Sequence, residues 1–254
     1  MDNINWKALA DELTSLMRLA KPPVAMKWVK SEEELKAIPK VRTHDKHLPP
    51  CTIVEHAMQF NWTSACKFEN IHANYCRAIH GLVARDEKFF SGEMFMGAWF
   101  DDIEQASKHH TALETVEPEY FAVVASPVSS GRIETPDVVV LDVIPAQAFL
   151  IMAGYQYAGY ERIQLTFSGE STCSDSWVHT FNTGKPGMAL PCYADKKFAG
   201  MGDSEVRVTF TAEDFVKMVE GLRALYKNGL RYPIASYSLT QDIIAGLPPH
   251  YLNY

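Results

Sequence analysis

A chain of 254 residues, 47% hydrophobic and 22% charged, has an ordinary soluble composition and enough length to bury a substantial core. Its net charge of -7 runs against the clustered lysine and arginine of a nucleic-acid footprint, and no apolar run is long enough to span a membrane. The partner this predicts is a small molecule or another protein, with neither nucleic acid nor membrane.

The start of the chain, Met1 to Lys7, lacks the basic residues, apolar run and small-residue cleavage site of a secretory signal. That predicts a cytoplasmic location. There the five cysteines are expected to be free, metal-bound or catalytic rather than paired in disulfides.

From residue 3 to 19, Trp6, Leu9, Ala10, Leu13, Leu16 and Met17 recur at helical spacing, which predicts an amphipathic helix. Lys21-Pro-Pro23 ends it, because proline cannot donate to the helix ladder. Val24 to Val29 alternates as a strand, and Ser31 with Glu34 three residues on marks a capped short helix. After a polar loop, Pro49-Pro-Cys51 opens a second helix with Ile53, Val54, Ala57 and Met58 on its inner face. Residues 64–81 read as loop followed by a short helix or turn closing at Gly81, and 88–92 as a connection. Residues 103–113 read as a charged, surface-like helix. Two strands follow, 120–126 and 137–143; the Val-Val-Val-Leu run of the second suggests burial on both faces. Pro145 then opens a helix. Val206, Val208 and Phe210 alternate as a strand, and Thr211 starts a helix that Asn228-Gly229 closes. The expected fold is α/β or α+β, a mixed sheet flanked by helices with a long irregular Cys-containing segment at 154–204. One domain over 1–254 is the default, with two tightly packed lobes, about 1–115 and 116–254, as the variant.

Four cysteines, Cys51, Cys76, Cys173 and Cys192, sit where helices could begin. A helix start favours thiolate over thiol, which both metal ligation and nucleophilic attack require. Distant cysteines can share a site if the fold gathers them, and all-sulfur ligation suits an iron-sulfur cluster or zinc. None of the four shows the two-residue spacing of compact metal motifs, and a cysteine can equally be a small core residue. Core is the reading preferred for Cys66. Asp175 and Asp195 follow Cys173 and Cys192 within three residues, as candidates for proton transfer or anchoring or as first-turn acids favoured by the helix dipole. Arg77 could hold an anionic substrate or make a salt bridge. The pairs His109-His110 and Lys196-Lys197 read as solvated. Dinucleotide, phosphate-loop, nucleophile-elbow and His-Glu-x-x-His templates are missing.

Lys21-Pro-Pro-Val-Ala-Met26, Pro50-Cys51, Cys76-x-x-x-His-Gly-Leu82, Pro136-Asp-Val-Val-Val140, Cys173-Ser-Asp175, Thr183-Gly-Lys185 and Leu190-Pro-Cys192 with Asp195 and Glu205 together resemble the domain of unknown function 169 family of anaerobic bacteria and archaea. The family's cysteines match Cys51, Cys76, Cys173 and Cys192, and Cys66 has no counterpart. Lys196-Lys197 departs from a family pattern that ends in arginine, and lysine lacks arginine's planar fork. The resemblance implies a shared cysteine site but names no reaction. The leading expectation is an iron-sulfur enzyme, its cluster expected to be of the four-iron type, performing reductive or redox-assisted chemistry on a small organic molecule. An electron-donor protein and self-association are compatible with it. Two alternatives are a metal-free cysteine nucleophile acting as transferase or hydrolase, and a non-catalytic accessory protein holding zinc or another cofactor.

Overall fold

The computed structural model describes residues 4–236, 240 and 242–253. Its frame is a seven-stranded open sheet in the order β2-β3-β4-β1-β5-β7-β6. The strands are β1 (Val24–Val29), β2 (Val41–Arg42), β3 (Thr63–Lys67), β4 (Ala122–Pro127), β5 (Val138–Val143), β6 (Gly187–Ala189) and β7 (Val206–Thr211). Among the described strands of the sheet, β2 and β3 pair in parallel and the other neighbours pair antiparallel. β1 lies between β4 and β5, so strands from early and late in the chain alternate across one sheet.

Helices cover both faces. One face carries α1 (Trp6–Met17), α7 (Pro145–Gln156) and α9 (Ala212–Lys227), which bury Leu13, Ile151 and Phe215 against Leu141, Val208 and Phe210. The periodic apolar stripes of α1 and α9 are what made them legible, and each has its cap: the Asn5 side chain accepts from Ala8 N and that of Thr211 from Asp214 N. α7 and α9 cross closely at a pair of glycines. A Cβ on Gly221 would strike the Gly154 carbonyl oxygen, and one on Gly154 would lie 2.7 Å from Leu222 Cγ.

The other face carries α3 (Pro50–Phe60), α4 (Asn74–Ile79), α5 (Glu87–Ser91) and α6 (Ile103–Ala112), packed on Met26, Trp28, Val123 and Val140. Strands covered on both sides need no alternation, and β4 and β5 are buried at every residue.

Three expectations are corrected. Residues 63–67, read as loop, are β3: Thr63 and Ser64 are fully buried, so small polar side chains concealed an inner strand. Residues 87–91, read as a connection, form α5, capped by Asp86. α6 is not a surface helix along its length, because His109 and His110 are buried among Phe95, Phe100 and Tyr75. The 154–204 segment is also more regular than its glycines and prolines suggested. It holds the end of α7, a π-helical turn at Ser174–Val178 running into α8 (His179–Thr183), β6, and a second π-helical turn at Asp195–Ala199.

Gly221→Ala should lower stability by about 3 kcal/mol, the upper range for overpacking a well-filled contact. The check is a lower urea midpoint at unchanged slope.

Candidate functional site

The site is assembled from four separate segments on the α3 side of the sheet. Cys51 is the second residue of α3, whose first residue is Pro50, where proline's missing N–H and fixed φ suit a helix start. Cys76 is the third residue of α4. Cys173 immediately precedes the π-helical turn Ser174–Val178, and Cys192 lies just before the helical turn that continues as Asp195–Ala199. π-helical turns are rare and often mark functional sites. Here each one turns an acid inward directly after a cysteine.

All four cysteines line one cavity of about 180 Å3, and all are free. Tyr75, Phe95 and His80 also line it, with Met94, Trp99 and Phe198 at its exposed rim. Among the described residues lining it, the only carboxylates are Glu170 and Asp195, and no lysine or arginine is present. No group of three or more His, Cys, Asp or Glu side chains among the described residues is gathered on a single metal-ion position. The four cysteines share the lining of this one cavity.

Burial pushes every one of these thiols up. Cys76 reaches about 12 and Cys192 about 11, and Cys51 and Cys173 also stand well above the ordinary thiol range. After burial, the next contributions include the charge of Asp195 and the other cysteines of the set. Arg207 pulls Cys51 down, but burial outweighs it, and the four are neutral thiols.

Cys192 is held most closely. Its N–H donates to Thr172 Oγ1 at 2.6 Å, Thr172 Oγ1 donates to the Leu190 carbonyl at 2.8 Å, and its thiol donates to Asp195 Oδ2 at 3.2 Å. Asp195 in turn accepts from Arg207 Nη1 at 2.6 Å. Burial opposes its charge, but Arg207 together with the bonds from Thr172 and Cys192 outweighs that and keeps its carboxyl below the usual range.

Arg207 is the residue the sequence concealed. It lies on β7 between Val206 and Val208 and is completely buried. Its cross-strand partner is Asp142 of β5, which accepts at 2.7 Å from both Nε and Nη2. The Trp177 ring lies 4.9 Å from the guanidinium carbon. Glu55 of α3 stands 4.0 Å away and is bridged by Lys21 to Glu205, at 3.2 and 2.7 Å. Burial, then the neighbouring Asp142, raises the Glu55 carboxyl to about 7. The visible signal was a charge inside each of two apolar strands, which the sequence reading did not single out.

His80 is fixed by three bonds. Trp177 Nε1 donates to its Nε2 at 3.1 Å, so Nδ1 carries the proton and donates to the Cys76 carbonyl at 2.8 Å; its own carbonyl accepts from Trp28 Nε1. Burial drops its pKa to about 4, leaving a neutral wall residue. Glu170, also unforeseen, accepts from Tyr193 N at 3.1 and 3.2 Å, and burial raises its carboxyl.

The other sequence candidates lie elsewhere. Asp175 accepts from the N–H and hydroxyl of Ser168, both at 2.8 Å, and pins the loop before Cys173 without lining the cavity. Arg77 stacks on the Phe68 ring at 3.9 Å and donates to the Phe68 carbonyl, again outside the lining. Cys66 is fully buried on β3, its thiol directed at the Leu48 carbonyl and pushed by burial to about 12. Lys196 is not simply solvated: it ties the Met201–Asp203 turn through the Gly202 carbonyl at 2.6 Å.

The profile of the DUF169 family, described as uncharacterised ArCR, matches residues 12–221. An uncharacterized protein of Methanocaldococcus jannaschii is 30% identical over 236 residues, covering 90% of this chain and all of the relative. No solved structure matches the chain.

Arg207→Met should cost about 3–5 kcal/mol, because it leaves Asp142 and Asp195 buried without their partner; urea denaturation reads the loss. Glu55→Gln should act through pH. The native carboxyl at about 7 binds its proton more tightly than the unfolded one at 4.5, so wild-type stability falls between those values as pH rises. The variant should show a shallower decline across that window, and an unchanged slope would remove Glu55 as the titrating group.

Proposed function

This chain belongs to the DUF169 family, and from that premise and the four thiols around one cavity we propose that it is an iron-sulfur enzyme. Its reaction is reductive or redox-assisted chemistry on a small organic molecule. The observation that carries the reading is the arrangement of Cys51, Cys76, Cys173 and Cys192, free cysteines from four segments lining a single cavity. The donor set fits the group: four free cysteines at one cavity are the residues that would hold an iron-sulfur cluster by their thiolates. Bound there and held by all four cysteines, a cluster would supply one-electron transfer.

The protein's own part follows from its charges. Ligation requires thiolates, and the raised thiols release their protons only when a positive group arrives. Asp195 Oδ2 accepts a hydrogen bond from the Cys192 thiol. Held ionised by Arg207, Asp195 stays charged, orienting that thiol rather than taking its proton. Glu170, with its carboxyl raised by burial, is the better proton donor at the mouth. Aromatic walls and two acids select a neutral or cationic substrate rather than an anion.

The metal-free nucleophile reading has less support. An attacking cysteine needs a lowered pKa, and each of the four is raised.

Protein prepared without oxygen should be coloured and carry about four irons and four sulfides per chain. Serine at position 51, 76, 173 or 192 should lower that content, while Cys66→Ser should not. Colourless, iron-free protein would sink the proposal.

A further inference from the structure

The thiol cavity opens through a ring of large side chains. Among its described lining residues, the exposed ones are Met94, Trp99, Tyr193 and Phe198, and the rest are buried or half-buried behind them. Met94 and Trp99 come from the turn after α5, Tyr193 and Phe198 from the helical turn after Cys192, so the opening has two jaws. They meet at one aromatic contact across it: the Trp99 and Tyr193 rings lie 5.9 Å apart with their planes at 67°, an edge-to-face pair.

The base of each jaw is fixed. Phe95 packs on Tyr75, His109 and His110 at 5.0, 5.3 and 4.8 Å, and Phe100 on His109 at 5.3 Å. Gly92, at φ +73°, brings the turn against α6 so closely that a Cβ would lie 2.4 Å from the Ala106 carbonyl carbon. The turn is also closed on itself, Gly97 N donating to the Phe100 carbonyl at 2.7 Å and Trp99 N to the Phe95 carbonyl at 2.9 Å. On the other jaw Tyr193 is held at both ends, its N–H by the Glu170 carboxylate and its hydroxyl accepting from Lys197 Nζ at 2.8 Å.

The Trp99 indole has no such hold. Its ring N–H has no acceptor among the described residues, and the ring is 47% exposed. Exposed side chains change rotamer in picoseconds to nanoseconds, so this ring can swing while both backbones stay in place.

We propose that Trp99 is the leaf of a size gate that closes on Tyr193 over the thiol cavity. Small molecules pass with the leaf down, and larger ones wait for it to swing. The gate governs access alone and holds whether or not the cavity carries iron.

The test uses the full chain as purified, after its iron is measured. In iron-free protein, labelling of Cys51, Cys76, Cys173 and Cys192 is followed by mass spectrometry with N-methylmaleimide and N-phenylmaleimide, neutral reagents of one chemistry and two sizes. In iron-loaded protein, iron release to bipyridyl and to the bulkier bathophenanthroline makes the same comparison. An edge-to-face contact favours the closed state by up to about tenfold, so Trp99→Ala should speed the larger reagent by about that factor and the smaller one little. Tyr193→Ala, from the other jaw, should do the same, and Trp99→Phe should keep the slow rate. Met96→Ala, exposed on the same turn but outside the lining, should match the wild type. Cys66 should stay unlabelled in every variant, which sets gating apart from unfolding. A larger reagent no faster in either alanine variant, equal acceleration of both reagents, or a Met96→Ala effect as large as that of Trp99→Ala would each overturn the proposal. Iron content decides the cluster reading and the reagent rates decide the gate, so either can fail alone.

Discussion

A guanidinium with no exposed surface is the constraint on which the cavity side of this protein depends. Removing an arginine from water costs several kcal/mol even after relaxation, and its charge cannot be shed. Arg207 is tolerated because Asp142 meets it bidentately across the β5–β7 ladder, Asp195 takes a third N–H and Trp177 presents its ring. These contacts do more than offset the cost. They fix Asp195 relative to the sheet, and through it the Cys192 thiol, so a strand buried in the middle of the fold sets the position of a sulfur at the cavity.

The same network reaches the N-terminal half. Lys21, in the Lys-Pro-Pro turn after α1, bridges Glu55 of α3 to Glu205 beside β7. α3 carries Cys51 at its start and Glu55 one turn later, so the ion pairs that hold Glu55 also hold the helix that aims Cys51. Close packing completes the arrangement. A Cβ on Gly187 of β6 would lie 2.6 Å from the Ser176 carbonyl oxygen, so only a glycine lets the π-helical turn after Cys173 settle onto the sheet. Two cysteines are thus placed by charge and a third by backbone contact.

How much of this the sequence disclosed depends on which signal each residue carried. α1 and α9 declare themselves because their apolar residues recur on one stripe, and β5 because four consecutive aliphatics fit only a strand covered on both faces. β3 did not, since Thr-Ser-Ala-Cys-Lys has neither alternation nor bulk. The cysteine set was legible from residue type and from helix-start context, and Cys66 could be set apart from it. Arg207 and Asp142 were not legible. Alternation places Arg207 opposite Val206 and Val208, which is correct, but whether that opposite face meets water or another layer depends on the π-helical turns, which no periodicity announces. Glu170 was hidden for a related reason: an acid in an irregular stretch looks solvated until Tyr193 is folded over it.

The balance of charge around the thiols argues further about what the cavity is for. Asp142, Asp195 and Glu205 face Arg207 and Lys21, and Glu55 sits beside them with its carboxyl raised to about 7. The region thus already holds at least as much negative charge as positive. Burial raises all four thiols, and ionising any one adds a buried anion next to Asp195 and the other sulfurs, so they rise together rather than one falling at the expense of the rest. A nucleophilic cysteine is normally built the opposite way, with a single thiol set against a cation. Arg207 could have played that part, but Asp142 and Asp195 consume its donors. What the surroundings of these sulfurs lack is positive charge, which the multi-iron group proposed for this cavity would bring in a form that four thiolates can ligate.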